Sequence, residues 1–398
     1  MNTRRKSRRL RCQSDPSPPP VLPEELTSDI LSRLTVKDLM QLKCVSKSWK
    51  TLISDPNFIK MHLNRSARNP NLSSVVSTKN GDYSLVHFPV SHLLENRMIR
   101  VVSKDELNIK EDFFQVIGSY NGLICLHGYS YHETTGYKKV WFRLWNPATR
   151  TISDKLGCNG YRYKWNNTKF VFGYDNSAEI YKVVAVCRGY AQRKNTKERT
   201  TKVRVLSLSD NVWRTIQTFP VQINDVEDGV HLNCTVNWLA YVAFHSNDNI
   251  VRKMVIISLD LATETYSQIL PPTSSEHVII WGNVCVLMDS LCFYDNFNGT
   301  DLVIWQLTEF GDEKSWTQFL KFSHHNYPMH NDFVGNPVSK LKPLYISQNG
   351  NILVLKSNLI DGEIVYNRRT NKGKKIRINK PIRWFSIKAY VESLVSTS

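Results

Sequence analysis

The hydrophobic pattern of this 398-residue sequence changes once, near residue 72, and that change limits the folds that the chain can adopt. Before it, apolar residues recur at helical spacing, as in Leu26, Ile30 and Leu34, which a helix places on one face. After it, short runs rich in β-branched and aromatic residues alternate with Gly, Asn, Asp and Ser, a pattern typical of strands and turns. The sequence therefore predicts a small all-α module followed by an antiparallel all-β domain.

Capping residues predict four short helices in the first region. Pro23 suits the first turn of a helix, where its missing N–H is not needed. Thr35 and Asp38 form a capping pair before a second helix. A third helix carries Trp49, and Asp55 with the proline after it opens a fourth.

The helical region holds more apolar residues than one small core can bury. Leu22 precedes the first helix, and Leu31 and Met40 each follow another apolar residue directly. A domain of this size hides too little surface to cover all of them. Because an exposed apolar patch usually marks a partner site, the excess predicts a docking surface.

The residue strings of this region resemble an F-box, namely LPEEL, ILSRL, the pair DL and the closing CVSKSWKTLISDPNFIKMHL. The resemblance implies docking onto a Skp-type adaptor and, through it, onto a cullin and a RING protein in an SCF ubiquitin ligase. The predicted adaptor face comprises Leu22, Pro23, Ile30, Leu31, Leu34, Leu39, Val45 and Trp49. For Ile30 and Trp49 the core of the module is an equally good position. The alternative for the whole module is a helical cap on the larger domain.

A weak repeat in the second region predicts a β-propeller of about six blades. In each copy a strand with an apolar or aromatic end runs into a polar turn, and another strand follows. The copies are LWNPATRTI, LSLSDNVWRTI, ISLDLATETYSQI, IWQLTEFGDEKSWTQF and VYNRRTNKGKKIRI, anchored at Trp145, Leu206, Leu259, Trp305 and Tyr366. Repeats of about 40–50 residues with about four strands each are typical of propeller blades. Longer intervals are expected to hold loop insertions, such as GCNGYRYKWNNTK and GYAQRKNTKERT.

The order of motifs in this region resembles the plant F-box-associated (FBA) domain, which is related to kelch-type F-box proteins. The motifs are GSYNGLICL, LWNPATR, FGYD, YKVVAV, GVHLNCTVNWLA, ISLDLATETY and YVESLV. The double glycine common in kelch blades is absent from the sequence. The predicted organisation is a disordered basic and Pro-rich tail (1–20), an F-box (21–64), a linker with first strands (65–112) and the FBA domain (113–396).

Aromatic residues and turn residues of the second region are expected to serve packing. The tryptophans mostly alternate with polar residues, as inward strand positions do. They stand at 141, 145, 213, 238, 281, 305 and 316. Asn121–Gly122 and Asn146–Pro147 have the chemistry of turns.

Composition limits the compartment and the partners. Eight cysteines without a CxxC pair predict neither a zinc site nor a disulfide framework, and so a reducing compartment, the cytosol or the nucleus. The sequence has no run of about 18 apolar residues, so we predict no membrane span. The basic N-terminus is not followed by an apolar segment of the kind found in a secretory signal. The net charge of +17 favours an acidic partner.

The sequence predicts a chain that is not itself an enzyme and needs no cofactor. The cluster HHNYPMHND (His324, His325, His330 and Asp332) has no metal-site spacing. No GxSxG, Walker or GxGxxG motif is present.

Target recognition is expected in loops with aromatic and basic residues, at 157–169, 189–200 and 324–332. The predicted substrate-binding residues are Tyr161, Tyr163, Trp165, Tyr190, Arg193 and Lys194. The alternative for these loops is a solvated surface. The alternative function is single-strand nucleic-acid binding through the basic tail and the aromatic and basic residues 161–165, but the basic residues are spread over many strands and no known nucleic-acid module is visible.

Overall fold

The computed structural model describes most of the chain from residue 22 onward. The described residues are 22–66, 71–77, 83–89, 107–108, 113–132, 137–162, 167–193, 196–221, 223–246, 249–272, 282–297, 301–323, 341–347, 349–357, 363–375 and 383–397. The predicted tail at 1–20 and the histidine cluster at 324–332 therefore lie outside the described residues.

Four short helices come first, and their caps explain where they begin. They are α1 (Glu24–Leu31), α2 (Val36–Leu42), α3 (Lys47–Ser54) and α4 (Pro56–Ser66). The Thr35 hydroxyl accepts a hydrogen bond from the Asp38 N–H at 3.2 Å. The Asp55 carboxylate accepts one from the Asn57 N–H at 2.8 Å. These caps satisfy N–H groups that have no partner inside the helix, and both were predicted.

The helices enclose a small core of their own. It consists of Leu31, Val36, Leu39, Ile53 and Phe58, all at most 4% exposed. A sixth buried member of this cluster, Leu394, comes from the other end of the chain. The helical module (residues 22–66) therefore completes its core with a residue that follows the last strand.

Twenty-six strands follow in the described residues, all of them paired antiparallel. Their bounds are β1 (Asn71–Ser77), β2 (Tyr83–Pro89), β3 (Leu107–Asn108), β4 (Phe113–Tyr120), β5 (Leu123–His132), β6 (Tyr137–Asn146), β7 (Thr151–Ile152), β8 (Leu156–Arg162), β9 (Asn167–Asp175), β10 (Ile180–Arg193), β11 (Thr196–Ser207), β12 (Val212–Ile216), β13 (Ile223–Val226), β14 (Val230–Leu232), β15 (Thr235–Ser246), β16 (Asn249–Asp260), β17 (Tyr266–Ile269), β18 (Gly282–Leu287), β19 (Ser290–Phe297), β20 (Asp301–Leu307), β21 (Trp316–Ser323), β22 (Leu341–Ile346), β23 (Ile352–Ser357), β24 (Glu363–Asn367), β25 (Lys372–Lys375) and β26 (Arg383–Tyr390). One 3-10 helix, Glu313–Ser315, precedes β21.

The strands form six sheets of four or five strands that close into a ring. The orders are β4-β5-β6-β7 with β8 on β6, β9 to β12, β13-β15-β16-β17 with β14 on β15, β18 to β21, β22 to β25, and β26-β1-β2-β3. The strands β4, β9, β14, β18, β22 and β26 contact one another in that order, and β26 returns to β4. This arrangement is a β-propeller whose last sheet joins both ends of the β region. The predicted fold class is confirmed.

The sequence repeat marks the same turn in five of the sheets. Its anchors lie on the third strand of each sheet, just before the turn to the fourth. Asn146, Asp260 and Asn367 each accept backbone hydrogen bonds from the second and third residues after them. Such Asx turns are stabilised by hydrogen bonds within the turn itself. The same residue pattern therefore recurs in the sequence where the turn recurs.

The core of the propeller lies between adjacent sheets. Trp141, Trp145 and Trp238 are buried, and Trp213, Trp305 and Trp316 pack against the buried clusters. The remaining predicted core tryptophan, at 281, lies outside the described residues.

The expected loop insertions are wrong in part, because two of them continue strands. Most of 189–200 is a β-hairpin in which Gly189 pairs with Thr200 and Arg193 pairs with Thr196. The beginning of 157–169 belongs to β8 and its end to β9. Polar residues mislead here because strands pair through backbone hydrogen bonds, which do not require apolar side chains.

Candidate functional site

Exposed large apolar side chains are concentrated in the helical module. The exposed apolar set comprises Leu22 (49% exposed), Leu26 (53%), Ile30 (52%), Met40 (38%) and Val45 (69%). In the much longer described part of the propeller, three such residues are found, Val212, Met288 and Phe310. An apolar surface that the rest of the chain leaves uncovered is a candidate site for a partner.

The geometry of α1 explains why these side chains point outward. Leu26 and Ile30 are four residues apart and share one side of the helix, while Leu31 points into the core at 4% exposed. Leu22 lies before the start of α1 and is exposed as well. Asp29 connects α1 to α4 through an ion pair with Arg65, and it also pairs with Arg33 at 2.8 Å. The Arg65 hydrogen bond lowers the pKa of Asp29 the most, and that from Arg33 adds to it.

The structure places the residues of the predicted adaptor face in different environments. Leu22, Pro23, Ile30 and Val45 are exposed, and Leu34 and Trp49 are half-buried against the module core. Leu31 and Leu39 are buried in that core, at 4% and 0% exposed, so their assignment to an accessible face is wrong. The helical period can be read from the sequence, but the side of the helix that meets α3 and α4 cannot.

Two members of the exposed apolar set were absent from the predicted face. Leu26 was assigned to the stripe of α1 without a partner role, and Met40 only to the apolar excess. The signal that could identify Leu26 is its position one turn before Ile30 on the same side of α1.

The module contacts the propeller through its other side. Leu394 inserts into the module core, and Ala148 packs beside it. The amide of the buried Asn146 donates hydrogen bonds to the carbonyls of Ser393 (3.0 Å) and Val395 (2.8 Å). These contacts anchor the C-terminal segment (residues 391–397) between the propeller and the module.

Close approach of this segment requires the glycine of the predicted Asn121–Gly122 turn. Gly122 has a φ of 78°, and a Cβ there would collide with the side chain of Ser393 and the carbonyl of Val391. The turn residue is therefore also a packing position.

Three of the predicted substrate residues, Tyr161, Tyr190 and Arg193, lie in described strands at the end of the propeller away from the module. Glu179, in the turn before β10, forms an ion pair with Lys60 of α4 at 2.6 Å. Arg193 ends the same strand 14 residues later, which places it roughly 45 Å from that contact. Tyr190 precedes it, and Tyr161 lies near the end of β8 in the neighbouring sheet. Tyr163, Trp165 and Lys194 lie outside the described residues.

A cavity of about 730 Å³ lies at the module end of the ring. Its lining includes Leu63 of α4, Asn233 and Asp289. Tyr120 stacks on Tyr174 and meets the edge of His231, with ring centres 5.2 and 4.7 Å apart. Burial lowers the pKa of His231 to about 4, and its Nε2 lies 3.2 Å from the Tyr174 N–H. A neutral imidazole that accepts this hydrogen bond has a packing role.

Two searches of the described residues bear on other kinds of site. Within the ranges given above, no three His, Cys, Asp or Glu side chains are grouped so that they could hold a metal ion. No helix among those ranges is long and apolar enough to cross a membrane.

Comparison with protein families identifies both parts of the chain. Residues 86–397 match the F-box associated beta propeller domain, and residues 20–61 match the F-box domain. The chain belongs to the F-box associated propeller family. It therefore joins an F-box to a propeller, as the two resemblances implied.

Curated plant proteins are similar to most of this F-box protein. An F-box/kelch-repeat protein of Arabidopsis thaliana is 27% identical over 389 residues, covering 94% of this chain and 95% of the relative. An F-box protein of the same plant is 26% identical, covering 74% of this chain and 89% of the relative. A putative F-box protein of the same plant is also 26% identical, and the match covers 94% of this chain and 88% of the relative.

Proposed function

We propose that this protein is the substrate-recognition subunit of an SCF ubiquitin ligase. The helical module docks onto a Skp-type adaptor, which connects it to a cullin and a RING protein, and the propeller holds a protein target. The observation that carries the proposal is the exposed apolar set, which lies within an F-box and stays uncovered while the propeller is packed against the module.

The mechanism we propose is proximity. Binding the adaptor and the target on one chain brings the lysines of the target to the charged ubiquitin-transfer enzyme at high effective concentration. The chain supplies no nucleophile, and its contribution is to hold two partners at opposite ends of one rigid body. This mechanism also requires that the module be fixed on the propeller, and Leu394 and Asn146 support that requirement.

We also propose that the protein works in the cytosol or the nucleus. The seven cysteines in the described residues are free thiols, which suits a reducing compartment. A ubiquitin ligase subunit would meet its partners there.

The test is the affinity of the full chain for a purified Skp-type adaptor, measured by calorimetry. The variant Leu22→Ala/Ile30→Ala/Val45→Ala should bind at least about 100-fold more weakly, because truncated interface anchors typically cost about 1–4 kcal/mol each. The side chains removed are already exposed, so folding should be unchanged.

The matched control removes the three exposed apolar side chains of the propeller. The variant Val212→Ala/Met288→Ala/Phe310→Ala changes similarly exposed residues and should bind the adaptor like the unaltered chain. Equal affinities for all three proteins would overturn the proposal. Adaptor binding should also change little with salt, whereas nucleic-acid binding would weaken steeply.

A further inference from the structure

The strands β24 and β25 and the turn between them (residues 363–375) form a hairpin with four exposed cations, the basic hairpin. The exposed cations are Arg368 and Arg369 in the turn and Lys372 and Lys374 on β25. In the part of the chain that the structure describes, none of the four forms an ion pair with a carboxylate. The sequence from 368 to 380 has seven lysines and arginines and no aspartate or glutamate.

Other cations of the propeller are neutralised by carboxylates. Lys169 pairs with Asp228 at 2.7 Å, and Lys321 pairs with Asp301 at 3.1 Å. The four cations of the basic hairpin lie within seven residues of one another, and the described residues supply no carboxylate to pair with them. Like charges at this spacing repel one another. An anionic partner that binds here would relieve that repulsion.

Contacts with neighbouring residues hold the turn of the basic hairpin in place. The Asn367 side chain accepts hydrogen bonds from two backbone N–H groups of the turn. The Arg368 guanidinium donates a hydrogen bond to the Gly350 carbonyl at 3.1 Å, and it lies 5.6 Å from the ring centre of Phe319 in the preceding sheet. A side chain that is already held in place loses less conformational entropy when a partner binds. The Arg368 cation is therefore preorganised for a partner.

The two lysines of β25 share one face of the strand. They are two residues apart, which separates their Cα atoms by about 7 Å, and the buried Gly373 between them pairs with Tyr366. β25 is the outermost strand of its sheet, and no other described strand pairs with its outer edge. In an extended chain, carboxylates at alternate positions have the same spacing as Lys372 and Lys374. The surface therefore fits an extended acidic segment.

The basic hairpin lies across the ring from one contact of the module. The sheet β22 to β25 is the third from the sheet β9 to β12 in either direction around the ring. The turn before β10 in the latter sheet carries Glu179, which pairs with Lys60 of α4. The four cations stay exposed with the module packed on the propeller, so the surface remains accessible to a partner.

A nucleic acid is the other class of anionic partner, and the aromatic residues argue against it. Sites for single strands combine cations with aromatic rings on which bases stack. Tyr366 of the basic hairpin is 5% exposed, and Phe319 is half-buried beside Arg368. Proteins that bind a duplex contact about 6–10 phosphates, more than four exposed cations can neutralise. These observations favour a segment of a protein.

We propose that the basic hairpin binds an extended acidic segment of the protein target, with aspartate or glutamate at alternate positions. Lys372 and Lys374 pair with two of these carboxylates, and Arg368 and Arg369 pair with carboxylates that continue toward the turn. The inference rests on the proposed function for the nature of the partner. It assigns the acidic partner predicted from the net charge to one surface of the propeller. Each exposed ion pair contributes little, so the affinity depends on several of them together.

The experiment measures binding of a short fluorescent peptide to the full chain by anisotropy. In the probe peptide glutamate and threonine alternate, and in a second peptide glutamine replaces every glutamate. The glutamate peptide should bind, and its affinity should fall about fivefold between about 50 and about 200 mM salt, because salt screens exposed charges. The glutamine peptide should not bind.

Two variants with the same change of net charge locate the site. Lys372→Glu/Lys374→Glu should lower the affinity for the glutamate peptide by about tenfold or more, because two attractive pairs become repulsive. Lys50→Glu/Lys253→Glu changes two exposed lysines elsewhere and should bind the peptide like the unaltered chain. All four lysines are exposed, so both variants should fold, and thermal unfolding checks this.

Equal affinities of the two double variants, or equal binding of the two peptides, would overturn the inference. A single-stranded oligonucleotide that binds the basic hairpin more tightly than the glutamate peptide would also overturn it. Adaptor affinity is measured on the same preparations. Absence of peptide binding with adaptor binding retained contradicts this site alone, whereas absence of adaptor binding with peptide binding retained contradicts only the ligase proposal.

Discussion

The helical module and the propeller differ in how completely they bury their apolar side chains. The module buries five of its own and leaves five large ones exposed. In the propeller every sheet has a neighbour on both sides, so the apolar side chains of each sheet are covered by the next. A closed ring has no unpartnered face, whereas four short helices cannot cover all of their apolar surface. This difference is the reason that we propose the docking surface on the smaller part.

A buried ion pair links two sheets of the propeller. In the propeller, the Asp175 carboxylate accepts hydrogen bonds from the Ser177 and Ala178 N–H groups and pairs with Lys182 at 2.8 Å. Both side chains of that pair are at most 7% exposed, and Lys182 also donates to the Leu261 carbonyl of the next sheet. Such a network fixes the position of one sheet against another.

The largest expected effect is a difference in stability between variants at two neighbouring residues of α1. Leu31→Ala should lower the free energy of unfolding of the module by about 2–5 kcal/mol, because it leaves a cavity in the core. Ile30→Ala removes a side chain that is 52% exposed and should leave that free energy nearly unchanged. Hydrogen exchange of α1 to α4 in urea measures both. Equal destabilisation by the two variants would contradict the division into a buried and an exposed side.

That pair of residues also shows what the sequence could and could not predict. The caps at Thr35 and Asp55 and the repeated turns were predictable, because they depend on residues close in sequence. The burial of Leu31 depends on tertiary contacts that the helical period alone does not specify.

An intermediate effect is expected where the two parts meet. Leu394→Ala should weaken the packing of the module on the propeller by about 2–3 kcal/mol. This is the lower end of the range for buried leucines, because the module and the propeller can move together and partly fill the cavity. Hydrogen exchange should rise in α2 to α4 while the strands of the propeller stay protected. The exposed ion pair of Lys60 offers a control, and Lys60→Ala should change neither. Faster exchange throughout the propeller would contradict this account.

The smallest expected effect is an acid transition in the propeller. Burial acts to raise the pKa of Asp175, but the hydrogen bonds from Lys182, Ser177 and Ala178 outweigh it and lower that pKa to about 2. The folded pKa thus lies below the ordinary value of 3.8, so the stabilisation is present above about pH 4 and is lost as the pH falls toward 2. It amounts to about 2 kcal/mol.

Urea unfolding of the propeller between pH 6 and pH 2 checks this sign. The variant Asp175→Asn/Lys182→Met replaces the ion pair with neutral side chains, an exchange that is often tolerated. Its stability should fall less steeply below pH 4 than that of the unaltered chain. Identical slopes would show that the pair does not couple to acid unfolding.

Hydrogen exchange of the full chain with and without a purified Skp-type adaptor tests the central claim most directly. The account predicts new protection confined to residues 22–45, where the exposed apolar set lies, and unchanged exchange in the β10–β11 hairpin at the other end of the molecule. Protection of the propeller with none in α1 or α2 would contradict it.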